Sequence, residues 1–183
     1  MKIAYADPPY LGCSHFYPEH QEVDHDKLIE DLNHYDAWAL SCSVPSLGTL
    51  LNHYLIKDSI SNGVVRVGAW VKPFASFKPN VNPAYTWEPV IFKPARGRFN
   101  REMPTVRDWV SANITLKKGL VGAKPTEFCY WLFQILGARP EDEFYDLFPG
   151  TGIVTKCWNG WCEINNQRQL ELIKQGEVSQ IVD

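Results

Sequence analysis

Lys2-Ile3-Ala4-Tyr5-Ala6-Asp7-Pro8-Pro9-Tyr10 is the stretch from which the fold can be read. Residues 2–6 have the character of a short buried strand. The two prolines that follow can continue neither a strand ladder nor a helix, so the chain must leave its sheet at Asp7. Phe144-Tyr145-Asp146-Leu147-Phe148-Pro149-Gly150-Thr151-Gly152 repeats the theme near the other end: a strand, a glycine-containing turn, and a helix from Ile153 to about Trp161. Between them the apolar spacing predicts a helix over 26–34, with Leu28, Ile29 and Leu32 on one face. It predicts further strands over 37–42, 64–71 and 87–92, and a helix over 46–54. Pro89 points to a bulge or a sheet edge in the 87–92 strand. Pro125 suits the first turn of a helix that runs through Trp131 to Leu136 and stops at Gly137. Strands alternating with helices imply an α/β fold, a mostly parallel sheet with helices on both faces.

The bulk numbers are compatible with one such domain. The chain has 183 residues, 45% of them hydrophobic and 21% charged, enough for a core without staples. Its formal net charge of −3 means that a nucleic-acid partner would need a local basic face. The five cysteines are odd in number and show no framework spacing, so they read as reduced thiols of a cytoplasmic protein. No apolar run reaches the ~18 residues of a spanning helix. The opening Met1-Lys2-Ile3-Ala4-Tyr5-Ala6 has no signal-peptide pattern.

Each of the two turns is ambiguous alone. Asp-Pro-Pro is common turn chemistry. A Gly-x-Gly before a helix offers close backbone approach and free N–H groups, which suits a nucleotide-type cofactor but is weak evidence by itself. As an ordered pair, with Lys124-Pro125 a short distance before the second, they carry more. The chain resembles the amino-group DNA methyltransferases, in which a D/N/S-P-P-Y/F/W motif pairs with an F-x-G-x-G cofactor loop. The order here, catalytic motif first and cofactor motif last, is that of the circularly permuted groups and most like the beta group. Trp70-Val71-Lys72-Pro73 and Trp87-Glu88-Pro89-Val90 look like the strands after the catalytic motif in small phage-borne members.

The resemblance implies a Rossmann-like, S-adenosylmethionine-dependent methyltransferase fold. It divides the single domain into a catalytic half over 1–93, a short target-recognition segment over 94–123 and a cofactor half over 124–183. Asp7, Pro8, Pro9 and Tyr10 become the target-base site; Asp146, Phe148, Gly150 and Gly152, with Lys124 and Pro125, become the cofactor site. The acidic form of the first motif implies adenine N6 as the target. The chemistry suits the residues. An exocyclic base amine is a poor nucleophile because its lone pair is conjugated with the ring. Asp7 and the Pro8 carbonyl can accept its hydrogens, and Tyr10 offers a face on which an extruded base can stack.

The pattern departs from the family after Gly152. A further strand ending in a ribose-binding acid is expected there, yet a polar run, Asn165-Asn166-Gln167-Arg168-Gln169, follows, and Glu163 is the only nearby acidic candidate. The fold is therefore expected to be truncated after the cofactor strand. That strand becomes a sheet edge needing a cover, which the C-terminal tail or a second subunit could supply, and a homodimer is expected.

Between Lys93 and Lys118 seven basic residues face two acidic ones. Arg96, Arg98, Arg101, Arg107, Lys117 and Lys118 are the candidate phosphate contacts, against the alternative of a solvated loop. His15, His20 and His25 with Asp24 and Asp26 match no standard zinc spacing, so no metal is expected. Trp38, Trp131 and Trp158 read as core, while Trp70 and Trp87 could line a groove. The expected partner is DNA and the expected cofactor S-adenosylmethionine. RNA adenine, cytosine N4, or nucleic-acid binding without turnover are the alternatives.

Overall fold

The computed structural model describes residues 1–12, 22–74, 80–95, 97, 104–114 and 123–179, with side chains up to residue 171. Six strands form one sheet: β1 (Lys2–Ala6), β2 (Ala37–Ser41), β3 (Arg66–Val71), β4 (Trp87–Lys93), β5 (Trp109–Ser111) and β6 (Glu143–Asp146), in the order β5-β3-β4-β2-β1-β6. β1 pairs in parallel with β2 and β6, and β3 with β5. β4 is antiparallel to both β2 and β3, so it alone runs against the rest. The helices are α1 (His25–Leu32), α2 (Val44–Leu51), α3 (Tyr54–Ser61), α4 (Thr126–Leu136) and α5 (Ile153–Ser179).

The period of two along the strands divides the core into two layers. Ile3, Tyr5, Ala37, Ala39, Val90 and Phe92 face one side, against Phe128, Leu132 and Phe133 of α4 and Val154, Cys157, Trp158 and Trp161 of α5. Ala4, Ala6, Trp38, Leu40 and Ile91 face the other, against Leu28, Ile29 and Leu32 of α1, Leu50 of α2 and Ile56 of α3. Helices thus cover both faces of a mostly parallel sheet, as the alternation of elements implied. Trp38, Trp131 and Trp158 are core residues.

Local chemistry sets the boundaries. Asp24 caps α1, accepting the Lys27 N–H at 3.0 Å. Gly137, at φ 67°, ends α4 in the left-handed conformation. Gly68 is needed for close approach: a Cβ there would meet the Asp108 carbonyl at 2.8 Å and the Trp131 ring at 3.0 Å. The absent side chain lets β5 lie against β3 while Trp131 of α4 covers both.

Several expectations need correction. The helix expected over 46–54 is two helices, because α2 ends at Leu51 and His53 starts α3, its ring accepting the Leu55 N–H at 3.3 Å. Pro89 marks neither an edge nor a bulge: β4 is internal. Its carbonyl accepts the Cys42 N–H at 3.1 Å, just past the end of β2, where a missing N–H breaks no ladder bond. The last helix does not stop near Trp161 but runs to Ser179. Up to Glu171, its first turns bury an apolar stripe, and the Gln, Arg, Leu and Glu that follow are good helix formers on an exposed surface. β5, at the far sheet edge, was not expected from the sequence. β6 lies at the opposite edge of the described sheet, as anticipated for that strand.

Candidate active site

The same alternation that builds the α4 face also builds the site. On β1, Ile3 and Tyr5 face α4, so Asp7 is next on that face as the strand ends. The series Ala37-Ala39-Ser41, Trp70-Lys72, Glu88-Val90-Phe92 and Phe144-Asp146 follow the same rule. Each is apolar in the middle of the sheet and polar or charged at one rim. That rim is the carboxyl end of β1, β2, β3 and β6. Because β4 runs the other way, its first residues, Trp87 and Glu88, arrive at the same rim. The entry to α4, Lys124-Pro125, closes the site from above.

The side chains meet as an ion-pair cluster. Lys124 Nζ lies 3.0 Å from Asp7 Oδ1 and 3.2 Å from Glu88 Oε2. Lys72 Nζ pairs with Glu88 Oε1. Tyr10 donates its hydroxyl to Glu88 Oε2 at 3.1 Å. Beneath them, Tyr5 shares a 2.8 Å hydrogen bond with Ser41. The indole of Trp70 lies 4.7 Å from the Lys72 ammonium and 5.3 Å from that of Lys124, which adds cation–π attraction. Trp70 is therefore a buried floor, donating to the Ala112 carbonyl at 2.8 Å, and not the groove wall suggested by its place near a loop.

Burial and pairing set the charges. Burial would depress the Lys124 ammonium, but Asp7, Tyr5, Tyr10 and Glu88 hold its pKa well above the ordinary lysine range, so it stays protonated. Burial would raise the Glu88 carboxyl, yet Lys124 and Lys72 bring it below the ordinary range. Burial pushes the Asp7 carboxyl up, with Lys124 opposing. Burial likewise raises the Tyr10 hydroxyl well above its ordinary value, keeping it a neutral donor.

The glycine turn sits beside this cluster. β6 is the parallel neighbour of β1, and the Leu147 N–H donates to the Tyr5 carbonyl at 2.9 Å. The two turns therefore leave the sheet side by side. Gly150 and Gly152 adopt φ 46° and 71°. A cleft of about 510 Å³ opens between the turn and the entry to α4, lined by Thr151, Gly152, Ile153 and Lys156 on one wall and Ala123 to Glu127 on the other. Asp146 Oδ2 accepts the Thr155 hydroxyl at 3.2 Å, whereas the buried Oδ1 has no hydrogen-bond partner within the described residues. Burial raises the Asp146 carboxyl, opposed by Thr155 and the Phe148 N–H.

No family model and no curated protein matches the chain. Solved structures do. The M1.HpyAVI–SAM complex superposes with a TM-score of 0.54 at 18% identity, over 87% of this chain and 76% of that one. M1.HpyAVI alone gives 0.52 at 18% identity, over 87% and 75%. The fold is shared. At that identity the likeness is one of architecture, and the chemistry has to come from this chain's own side chains.

Asp7, Pro8, Pro9, Tyr10, Lys124, Pro125, Asp146, Gly150 and Gly152 all lie at the one rim. Phe148 turns away, packing on the α1 face. Arg107 does not join them: it precedes β5, its guanidinium 5.3 Å from the Trp109 ring and its carbonyl accepting the Trp131 indole N–H at 2.8 Å, toward the other end of α4. Glu163 is an exposed residue of α5, not the end of a strand. Arg96, Arg98, Arg101, Lys117 and Lys118 lie outside the described residues, as do Cys13, His15 and His20. Sequence reasoning passed over Glu88 and Lys72 as site residues. A charged residue at the rim end of an apolar strand face, in β1, β3, β4 and β6 at once, was the signal available. No cluster of His, Cys, Asp or Glu suited to a metal occurs among the described residues, and no described helix is long and apolar enough to cross a membrane.

Proposed function

We propose that this chain transfers a methyl group from S-adenosylmethionine to the N6 amino group of adenine in DNA. The observation that carries the reading is the juxtaposition of the acidic turn and the glycine turn at adjacent parallel strand ends, with Lys124 both paired to Asp7 and lining the cleft beside Gly152. The shared architecture with M1.HpyAVI, solved with SAM, supports the same choice of cofactor.

The residues present fit such a cofactor. Among the described residues nothing crowds Gly152 in the cleft, which a protonated lysine and the start of α5 also bound, and the buried Asp146 Oδ1 has no donor. Lys124, Pro125, Asp146, Gly150 and Gly152 would hold it. When bound, it supplies an electrophilic methyl. Everything else is done by the chain. Asp7 and the Pro8 carbonyl accept the two hydrogens of the amine and favour a tetrahedral nitrogen. Tyr10 stacks the base, its ring fixed by the hydroxyl bond to Glu88. Preorganised acceptors of this kind lower a barrier by several kcal/mol because they need no reorganisation during reaction. On this reading 1–93 is the catalytic half, 94–123 meets the target and 124–183 holds the cofactor; the basic residues 96, 98, 101, 107, 117 and 118 would contact phosphate, and a second copy could cover β6.

Incorporation of labelled methyl into DNA tests the reading, with nucleoside mass spectrometry of DNA and RNA to fix the product. Asp7→Ala is expected to lower turnover by roughly 10²–10⁴-fold with cofactor binding kept. An unchanged rate removes Asp7 from its role. Methyl found only on RNA or on cytosine replaces the target but keeps the chemistry.

A further inference from the structure

We propose that Glu88 is a positioning residue of this site: by holding Tyr10 and sharing Lys124 with Asp7, it divides the ammonium between two carboxylates, so that Asp7 can accept a substrate amine without stranding the buried lysine. Its kinetic consequence rests on the methyl-transfer reading above; its electrostatic consequence does not.

The geometry is that of one carboxylate gathering three separate elements. Glu88 Oε2 receives both the Tyr10 hydroxyl from the turn after β1, at 3.1 Å, and the Lys124 ammonium from the entry to α4, at 3.2 Å. Its Oε1 receives Lys72 from the end of β3. Asp7 and Glu88 thus compete for one buried ammonium at nearly equal distance, 3.0 Å and 3.2 Å. A buried ammonium with a single carboxylate partner would form an undivided pair, and an incoming amine would have to break it. With two partners and a second lysine, the cation is shared. Asp7 keeps a fixed, partly compensated charge, and Lys124 retains an anchor when substrate engages Asp7. Glu88 is not expected to touch the reacting atoms. It acts through Lys124 and through the ring orientation of Tyr10.

The groups facing Asp7 decide the sign of a test. Burial and Glu88 from β4 raise the affinity of Asp7 for a proton, while Lys124 from the α4 entry and Lys72 from β3 lower it; Asp146 from β6 is a further carboxyl nearby, itself raised by burial and by Asp7, and the Tyr5 and Tyr10 hydroxyls are neutral. Neutralising Glu88 should therefore shift Asp7 titration to lower pH, both by removing a neighbouring anion and by releasing Lys124 to it. Neutralising Lys72 should shift it to higher pH, because Glu88 then draws Lys124 more strongly.

The experiment is a carboxyl-carbon NMR titration of Asp7 in the wild type, Glu88→Gln and Lys72→Gln, beside steady-state kinetics with DNA. Opposite shifts of Asp7 in the two variants are expected. With them should come a kcat for Glu88→Gln lower by roughly tenfold, an acid limb displaced to lower pH, and partial recovery in Glu88→Asp. An Asp7 titration that does not move in Glu88→Gln, or moves the same way in both variants, overturns the proposal. So does an unchanged kcat and acid limb in an active enzyme. If Glu88→Gln does not fold, Lys72→Gln and Glu88→Asp decide by the same titration. A folded wild type that transfers no methyl defeats the methyl-transfer reading and the kinetic part with it, while the titration still decides how the charges are shared.

Discussion

The two turns that leave the sheet side by side are finished in opposite ways. The Asp7–Tyr10 turn is braced by the protein itself: one oxygen of Asp7 is paired with Lys124, and Tyr10 is tied to Glu88. The turn after β6 is left open. Among the described residues, nothing would touch a side chain on Gly152, and one oxygen of Asp146 has no partner. The difference follows from what each must do. A group that orients a weak nucleophile has to be charged and aimed before the substrate comes, which calls for counter-ions built into the fold. A turn that binds a ligand through backbone approach and helix N–H groups has to keep its own atoms out of the way. The low pair count of one turn and the crowding of the other are the same design applied to two tasks.

The largest effect should come from removing the cation that serves the closed turn. Lys124→Met leaves Asp7 and Glu88 with Lys72 alone and is expected to lower unfolding free energy by about 3–5 kcal/mol in urea. Asp7→Asn should behave differently. Burial already disfavours the ionised Asp7, so a neutral isostere is expected to change stability by less than about 1 kcal/mol while stopping turnover. Equal losses in the two variants would show that the cluster is ordinary structural cement.

A smaller effect is expected from pH. The lysines hold Glu88 below its ordinary value of 4.5, so its contribution is complete above that pH and disappears as pH falls through the lowered folded value. Asp7 works in the other sense: its raised value means that acidification through that value favours the folded state. Lys124, raised above 10.5, contributes below that pH and is lost only as pH climbs through its folded value. Glu88→Gln should therefore flatten the acid side of a stability–pH curve and leave the alkaline side standing. A steeper acid limb in that variant would mean that another carboxylate governs it.

Smaller again is the cost of filling the open turn. A Cβ on Gly152 would meet no atom of the described residues within 4 Å, so Gly152→Ala should lose only the backbone cost of its φ of 71°, about 1–2 kcal/mol. The same variant should weaken S-adenosylmethionine binding in calorimetry, because the space it enters is the space assigned to the cofactor. Unchanged affinity would move the cofactor elsewhere.

Much of this contrast could be seen before any coordinates. Asp7-Pro8-Pro9 announces an exit from a sheet, and Gly150 and Gly152 announce a turn with special backbone angles, because both signals are local. The near-continuous apolar runs within 2–6, 37–41 and 87–93 likewise announce strands buried on both faces. Glu88 and Lys72 were not legible as partners, since they meet through register: Trp70 opposite Glu88 and Val71 opposite Trp87, in a strand whose reversed direction no local pattern reveals. β5 was missed because three residues are too few to display a period. The length of α5 was missed for a related reason. The polar run Asn165 to Gln169 has no apolar period and does not read as helix, yet Asn166 to Glu171 stay helical on an exposed surface, where local propensity and not packing carries the chain on.

The finest test concerns Asp146, which belongs to the open turn but is half-anchored. Its Oδ2 is held by Thr155 on the first turn of α5, and its Oδ1 is buried without a partner among the described residues. Thr155→Val keeps side-chain volume and helix propensity while deleting that one bond, so stability should fall by only about 0.5–1 kcal/mol. Thr155 holds the Asp146 carboxyl down against the burial that raises it, so its titration should move to higher pH. If Oδ1 is the oxygen kept for the ligand, cofactor affinity should drop only a few-fold in Thr155→Val, since the accepting atom survives, and far more in Asp146→Asn, where it cannot remain an anion. Equal losses in calorimetry would mean that the carboxylate works as a unit oriented by Thr155. The open turn would then be as internally fixed as its neighbour, and the contrast between the two would be one of degree.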